Sequence, residues 1–177
     1  MKERAMGAMA GLALGDALGM PTQSMSDKQI RRYYDGPITK LMNAVPQQPI
    51  APNMKAGAVT DDTEQAFVLA RRLIDDNGCI DNTRYAHDLL QWEAAMKPRD
   101  RLTCWGLPPK QRCKTYRRRK SGRDRPIRHH QRRCNACHAG GIAFRPGQAL
   151  ADAAWRSCVV THNTVQGIEA TTWWLRR

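Results

Sequence analysis

The chain has 177 residues, of which 41% are hydrophobic and 25% charged, a composition typical of a globular domain with its own core. No apolar run approaches the roughly 18 to 20 residues that cross a bilayer. Asp16 interrupts the apolar start of the chain, so a secretory signal is not expected either. We therefore expect a cytoplasmic protein in which the six cysteines do not form disulfides.

The net charge of +13 would ordinarily suggest a nucleic-acid partner. Its distribution argues against one, because residues 99–138 hold 14 of the 29 Lys and Arg residues and 2 of the 16 Asp and Glu residues. The rest of the chain is nearly neutral. One segment therefore accounts for the charge, and no specific nucleic-acid partner is expected.

Residues 3–19 are predicted to form the first helix, because small and apolar side chains recur at spacings of three and four. These side chains are Met6, Met9, Ala10, Ala13, Leu14, Ala17 and Leu18. A second row consists of glycines four residues apart, at positions 7, 11, 15 and 19. Glycine costs about 1 kcal/mol inside a helix, so the row predicts close packing against another helix.

Residues 22–58 contain several prolines and are predicted to be irregular. A helix then begins at Thr60 or Asp61, either of which can cap it, and ends at Asn77-Gly78. Its predicted apolar face consists of Ala66, Phe67, Ala70, Leu73 and Ile74. Further helices are predicted at 81–96 and 148–160. No segment alternates with the period of a strand for long, so the chain outside 99–138 is predicted to be all-α.

Thr60-Asp61-Asp62 is the strongest chemical signal in the sequence. Two adjacent carboxylates and a hydroxyl at a helix start offer the hard oxygen ligands that Mg²⁺ and Mn²⁺ prefer. The same residues could serve only to cap the helix, and their spacing alone favours that simpler interpretation.

Two motifs together resemble a known family. The stretch GLALGDALGMPTQ, followed about 40 residues later by GAVTDDTEQAFVLARRL, is similar to the ADP-ribosylglycohydrolases, which include the enzymes that remove ADP-ribose from dinitrogen reductase. The stretch GIAFRPGQALADAAWRSCVVTHNTVQGIEAT resembles the family's helix that ends in a Thr-His pair. The resemblance covers residues 1–97 and 141–171.

The resemblance implies an all-α orthogonal helical bundle that hydrolyses the N-glycosidic bond between ADP-ribose and a side chain. It implies two Mg²⁺ or Mn²⁺ ions, with Thr60, Asp61 and Asp62 as metal ligands. His162 matches a substrate-binding position, although it could equally be a structural histidine at a helix end. Asp16 matches the family's GDA motif, where we expect structural support more than catalysis. The implied partner is an ADP-ribosylated protein or an ADP-ribose-containing small molecule, and the protein is expected to be a monomer.

Three departures from the family predict an incomplete, inactive copy without an identified catalytic residue. Many members carry a glutamate where this chain has Gln23, and an amide cannot act as a general base. The family's second metal motif, Asp-x-Asp-Thr, is absent. The ADP-ribose-binding loop of the form T-x-N-G-x-x-M-R is also absent. We therefore expect weak binding, or none, of a metal pair.

The basic segment permits a different function. Cys134 to His138 fit the haem-attachment pattern C-x-x-C-H. With Cys104 and Cys113, these residues could be drawn as a zinc site, and Arg117–Lys120 could contact phosphates. The alternative function is therefore a basic zinc- or nucleic-acid-binding module centred on residues 99–138. The cysteine spacing and the lack of an export signal argue against both metal interpretations.

A shifted reading frame explains the basic segment better. With suitable synonymous codons, the DNA encoding 127–138 reads YGTTNGAAMRV one base later, which matches the missing loop. Read two bases later, the DNA encoding 102–113 gives DLLGPSTKAAL, and the DNA encoding 172–177 gives LVAAA. We therefore predict a truncated, frameshifted copy with three parts. Residues 1–98 and 141–177 belong to one helical domain, and residues 99–140 form an out-of-frame, disordered segment.

Overall fold

The structure is a computed structural model. It describes the chain over residues 2–96, 137–145, 147–161, 168–169 and 171. Six α-helices lie in these ranges: α1 (Lys2–Gly19), α2 (Asp27–Tyr33), α3 (Asp61–Asp75), α4 (Asn82–Met96), α5 (Cys137–Ala143) and α6 (Gln148–Thr161). A short 3-10 helix, Met20–Thr22, directly follows α1. No strand occurs among the described residues, which agrees with the predicted all-α fold.

Four helices enclose the main hydrophobic core. Helix α3 packs against α4 and α5, and α6 packs against the same two helices. Apolar side chains from each of them fill the space between: Leu69, Leu73, Tyr85, Ala86, Leu89, Ala139, Ala153, Cys158, Val159 and Val160. Helix α1 packs against α3 and α5, so the start of the chain lies beside the first turns of α3.

The sequence signals at the ends of α3 and α4 act as predicted. Asn77 and Gly78 adopt positive φ angles of 51° and 86°, and the N–H of Gly78 donates to the carbonyl oxygen of Leu73 at 2.7 Å, which closes the end of α3. Asp81 caps α4, because its Oδ1 accepts the N–H groups of Thr83 at 2.8 Å and Arg84 at 2.9 Å. A tight turn therefore joins the two helices.

The predicted apolar face of α3 is partly wrong. Ala66 and Leu73 are buried, but Phe67 is 49% exposed and Ile74 is 73% exposed. Leu69, which the prediction omitted, is fully buried. The buried stripe is therefore centred on Leu69, with Ala66 and Leu73 one turn to either side, and Phe67 lies at its outer edge.

Helix α1 forms where predicted, but most of its apolar row is not covered by the described residues. Ala17 is buried, whereas Met6 is 62% exposed and Leu14 is 54% exposed. A Cβ atom added at Gly7, Gly11, Gly15 or Gly19 would meet no described atom within 4 Å. The close packing predicted for the glycine row is therefore not found within the described part of the chain.

Two short helices were not predicted. Helix α2 lies inside the segment expected to be irregular, and Ser26 and Gln29 begin it with a reciprocal capping box. Helix α5 begins at Cys137, inside the segment expected to be disordered. The last four residues of the predicted segment 99–140 are therefore helical, and residues 97–136 lie outside the described part of the chain.

A second, smaller apolar cluster supports the loop between α2 and α3. Met20, Ala44 and Ala51 are buried together, with Met54 beside them. The hydroxyl of Tyr34 donates to the carbonyl oxygen of Pro21 at 3.0 Å. The loop is therefore held against the end of α1. None of the described helices is both long enough and apolar enough to cross a bilayer.

The core assignment can be tested on two residues of α3. We expect Leu69→Ala to lower the free energy of unfolding by about 2–5 kcal/mol, because it leaves a cavity where four helices meet. Phe67→Ala removes a larger side chain that is half exposed, and we expect it to lower the free energy of unfolding clearly less than Leu69→Ala does. Urea denaturation of both variants measures the difference, and equal losses would contradict the assignment.

Candidate functional site

The site predicted from the Thr-Asp-Asp motif lies at the start of α3. Thr60 caps the helix, because its hydroxyl accepts the N–H of Asp62 at 3.3 Å, as the sequence predicted. Thr60 is 5% exposed, and Asp61 and Asp62 are half-buried. The positive end of the helix dipole favours carboxylates at these two positions.

Asp16, from α1, holds this helix start in place. Its Oδ2 accepts the N–H of Thr60 at 2.7 Å and the hydroxyl of Thr63 at 2.6 Å. Its Oδ1 accepts the hydroxyl of Thr60 at 2.9 Å. Thr63 is 1% exposed. One carboxylate therefore joins the end of α1 to the first turn of α3, which is the structural support expected of Asp16.

The residues at this helix start fit part of a divalent-cation site. Thr60, Asp61 and Asp62 supply one hydroxyl and two carboxylates on a helix start that Asp16 fixes, and these are hard oxygen donors. Among the described residues, no three His, Cys, Asp or Glu side chains come together as a group that could hold a metal ion. The residue types at this helix start therefore suit a divalent cation, and the assignment of Thr60, Asp61 and Asp62 as metal ligands stays a prediction.

Two of the predicted sites fall outside the described residues. His162 follows Thr161, the last residue of α6, and is not among them. The cysteines and basic residues of the alternative zinc- or nucleic-acid-binding module lie in 99–136 or, at Cys137 and His138, have side chains that are not described. Both interpretations therefore stay predictions.

Gln23, the position where many family members carry a glutamate, lies directly after the 3-10 helix and is half-buried. Its carbonyl oxygen accepts the side-chain amide of Gln48 at 3.1 Å, and the same amide donates to the carbonyl oxygen of Met20 at 3.2 Å. The Gln48 Oε1 atom accepts the N–H groups of Ile50 and Ala51. Because Gln48 is 2% exposed, these hydrogen bonds fix the backbone of Gln23 against a buried side chain.

A groove of about 650 Å³ runs along the outer side of α3 and α4. Phe67, Trp92 and Met96 are among the residues that line it, and the Trp92 indole N–H donates to Oε2 of Glu64 at 2.8 Å. Glu64 lies one turn after Asp61, so the groove begins close to the helix start. None of Thr60, Asp61 and Asp62 lines the groove.

A forked ion pair between Arg72 and Asp88 lies among the residues that line the same groove. The guanidinium of Arg72 donates to both carboxylate oxygens of Asp88, at 2.7 and 2.9 Å. Asp76 lies 3.3 Å from the same guanidinium. The hydrogen bonds to Asp88, and the attraction of both carboxylates, raise the pKa of Arg72 above its ordinary value against an opposing effect of burial. The ion pair therefore joins α3 to α4, and Arg72 keeps its positive charge at every ordinary pH.

Three elements of the site's support were missed by the sequence prediction. Thr63 follows Thr60 by one helical turn, a spacing that could have indicated a second hydroxyl facing Asp16. Gln48 and the Glu64–Trp92 pair left no comparable signal. Their partners are distant in the sequence: Gln48 lies 25 positions after Gln23, and Trp92 lies 28 positions after Glu64.

The described helices form an all-α domain in which the Thr-Asp-Asp helix start is anchored on a helix that carries a Gly-Asp-Ala motif. A profile of the ADP-ribosylglycohydrolase family matches residues 1–175. The chain belongs to the ADP-ribosylglycohydrolase family, as the sequence motifs predicted.

Three relatives are similar to about half of the chain. The protein YegU of Escherichia coli (strain K12) is 32% identical over 90 residues, which are 51% of this chain and 27% of the relative. An Archaeoglobus fulgidus protein is 36% identical over 92 residues, which are 52% of this chain and 28% of the relative. The ADP-ribosyl-[dinitrogen reductase] glycohydrolase of Rhodospirillum rubrum is 33% identical over 90 residues, which are 51% of this chain and 28% of the relative. The match therefore spans little more than a quarter of each relative.

The support of Gln23 can be tested at Gln48. Gln48→Leu keeps a side chain of similar size but removes the hydrogen bonds of Gln48 to the carbonyl oxygens of Met20 and Gln23 and to two backbone N–H groups. We expect the free energy of unfolding to fall by at least about 2 kcal/mol, and limited proteolysis to cut first between α2 and α3. The neighbouring Gln47 is exposed, so Gln47→Leu is the matched control. Equal proteolysis of both variants would show that Gln48 does not hold the loop.

Proposed function

We propose that this chain carries part of the active site of a hydrolase that removes ADP-ribose from modified protein side chains by cleaving an N-glycosidic bond. The observation that supports this most is the helix start at Thr60, which Asp16 holds by hydrogen bonds to Thr60 and Thr63 and which carries the carboxylates of Asp61 and Asp62. Membership of the family gives the reaction its type. The cation centre and the substrate are parts of this proposal.

In the proposed site, Thr60, Asp61 and Asp62 hold a divalent cation, Mg²⁺ or Mn²⁺, as one part of a binuclear centre. Cations bound to these residues would position the ribose hydroxyls and a water molecule for attack on the sugar carbon, which gains oxocarbenium character as the bond breaks. The chain's own contribution is to present oxygen donors from a rigid helix start. Asp16 prevents this start from fraying, because its three hydrogen bonds cannot be exchanged for water without exposing buried groups.

The partner we propose is an ADP-ribosylated protein or an ADP-ribose-containing small molecule. The name of the Rhodospirillum rubrum relative says that it acts on ADP-ribosyl-dinitrogen reductase, which supports a protein substrate. We propose that His162, immediately after α6, contacts the ADP-ribose, and that the protein acts as a monomer.

We further propose that these 177 residues do not catalyse the reaction by themselves. The amide of Gln23 cannot accept a proton from an attacking water. The described residues also offer no group of three metal-binding side chains of the His, Cys, Asp and Glu types. A cation held by few ligands binds weakly, since affinity rises with the number and charge of the ligands.

The cation site can be tested with Mn²⁺, whose paramagnetism reports binding directly. We expect the chain to bind Mn²⁺ weakly, and expect an Asp61→Asn, Asp62→Asn double variant to lose that binding because two anionic ligands become neutral. The matched control is Asp75→Asn, Asp76→Asn, which removes the same charge at the other end of α3. Electron paramagnetic resonance titration measures free Mn²⁺. Equal losses in both variants would contradict a specific site at the helix start.

The proposed lack of activity can be tested separately. We expect no release of ADP-ribose from an arginine-modified protein above the rate without enzyme, with or without Mg²⁺ or Mn²⁺. Mass spectrometry of the protein and chromatography of free ADP-ribose measure the reaction. Cation-dependent release by these 177 residues would contradict the inactivity and would support the reaction type. Binding of ADP-ribose without release agrees with both parts of the proposal.

A further inference from the structure

The hydrogen bonds of Asp16 have a fixed direction. A carboxylate can only accept hydrogen bonds, and never donates them. The hydroxyl protons of Thr60 and Thr63 must therefore both point toward Asp16, over O–O distances of 2.9 and 2.6 Å. The N–H of Thr60, at 2.7 Å, points to the same carboxylate. Because Thr60 is 5% exposed, water has little access to reorient its hydroxyl.

The fixed proton determines what the Thr60 oxygen can offer to a ligand. A hydroxyl has one proton and two lone pairs. The proton is donated to Asp16, and one lone pair accepts the N–H of Asp62 at 3.3 Å. The second lone pair takes part in no hydrogen bond among the described residues. A cation binds an oxygen through a lone pair, so the hydroxyl is already turned in the direction that metal binding requires.

We propose that Asp16 is a positioning residue for the cation site. By accepting the hydrogen bond of the Thr60 hydroxyl, it leaves a lone pair of Thr60 Oγ1 directed away from Asp16 and available to bind the metal. This inference rests on the proposed function, because it takes the cation at Thr60, Asp61 and Asp62 as given. It assigns to Asp16 a role beyond support. The Asp16 carboxylate orients the Thr60 hydroxyl and does not itself bind the cation.

Asp16→Asn tests this role because it changes polarity and hardly changes size. In one orientation, the oxygen of the new amide accepts the hydrogen bonds from the Thr60 N–H and the Thr63 hydroxyl. The NH₂ group then faces Thr60 Oγ1, which must accept a hydrogen bond from it. Both lone pairs of Thr60 are then used, and its proton points outward. The opposite amide orientation brings the NH₂ group against the Thr60 N–H, which loses that bond. We expect Mn²⁺ affinity to fall roughly 10–100-fold, the range found for residues that orient metal ligands.

Thr63→Val is the matched control. It removes one hydrogen bond to the same carboxylate but leaves both bonds between Asp16 and Thr60 in place. We expect this variant to lose thermal stability comparably to Asp16→Asn while its Mn²⁺ affinity stays close to that of the unmodified chain. Thermal unfolding and Mn²⁺ titration of both variants therefore separate positioning from structural support.

A second variant keeps the test decisive if Asp16→Asn does not fold. Thr60→Val removes the lone pair itself and should lower Mn²⁺ affinity as strongly, whereas Thr60→Ser keeps the hydroxyl and should retain the affinity. Unchanged Mn²⁺ affinity in Asp16→Asn or in Thr60→Val would overturn the positioning role and leave the cation site standing. Parallel losses in Asp16→Asn and Thr63→Val would overturn it too. An unmodified chain that binds no Mn²⁺ at the helix start would instead overturn the proposed cation site.

Discussion

The carboxylate of Asp16 is the constraint on which the candidate site depends. It receives the backbone N–H and hydroxyl of Thr60 and the hydroxyl of Thr63, and so connects residues 44 to 47 positions apart in the sequence. Charge-assisted bonds of this kind are stronger than neutral ones. The carboxylates of Asp61 and Asp62 owe their place at a rigid helix start to this single contact between α1 and α3.

The fold supports the site from two sides. The core enclosed by α3, α4, α5 and α6 fixes the direction of α3, and Leu69 lies near its centre. On the other side, Gln48 connects the loop before α3 to the backbone that carries Gln23. The helix start therefore lies between a packed core and a hydrogen-bonded loop. Neither has to move for the oxygen atoms of Thr60, Asp61 and Asp62 to be available to a cation.

The sequence predicted the elements whose signals are local. Thr60 as a cap, Asn77-Gly78 as a stop and the helices around Leu69 and Leu89 could be assigned because capping and apolar spacing act within a few residues. The motifs around Asp16 and Thr60 were sufficient to identify the family. Helix α2 was missed although its Ser-x-x-Gln capping box is also a local signal, because the prolines that follow were given more weight.

Contacts between distant segments could not be predicted in the same way. The bonds of Gln48 to Gln23 and of Trp92 to Glu64 depend on how the helices pack, which no single-sequence pattern encodes. The exposed row of Met6 and Leu14 shows the converse case, where a strong apolar pattern predicts burial that the described residues do not provide. An apolar period identifies a face of a helix but not what covers that face.

The most direct test of the account is X-ray diffraction from crystals of this chain grown with Mn²⁺, using the anomalous signal of the metal. The account predicts an anomalous peak at the start of α3, at bonding distance from Thr60 Oγ1 and from a carboxylate of Asp61 or Asp62, while Asp16 keeps its bonds to Thr60. Saturating Mn²⁺ with no peak there, or a peak bound directly by Asp16 in place of Thr60, would contradict it.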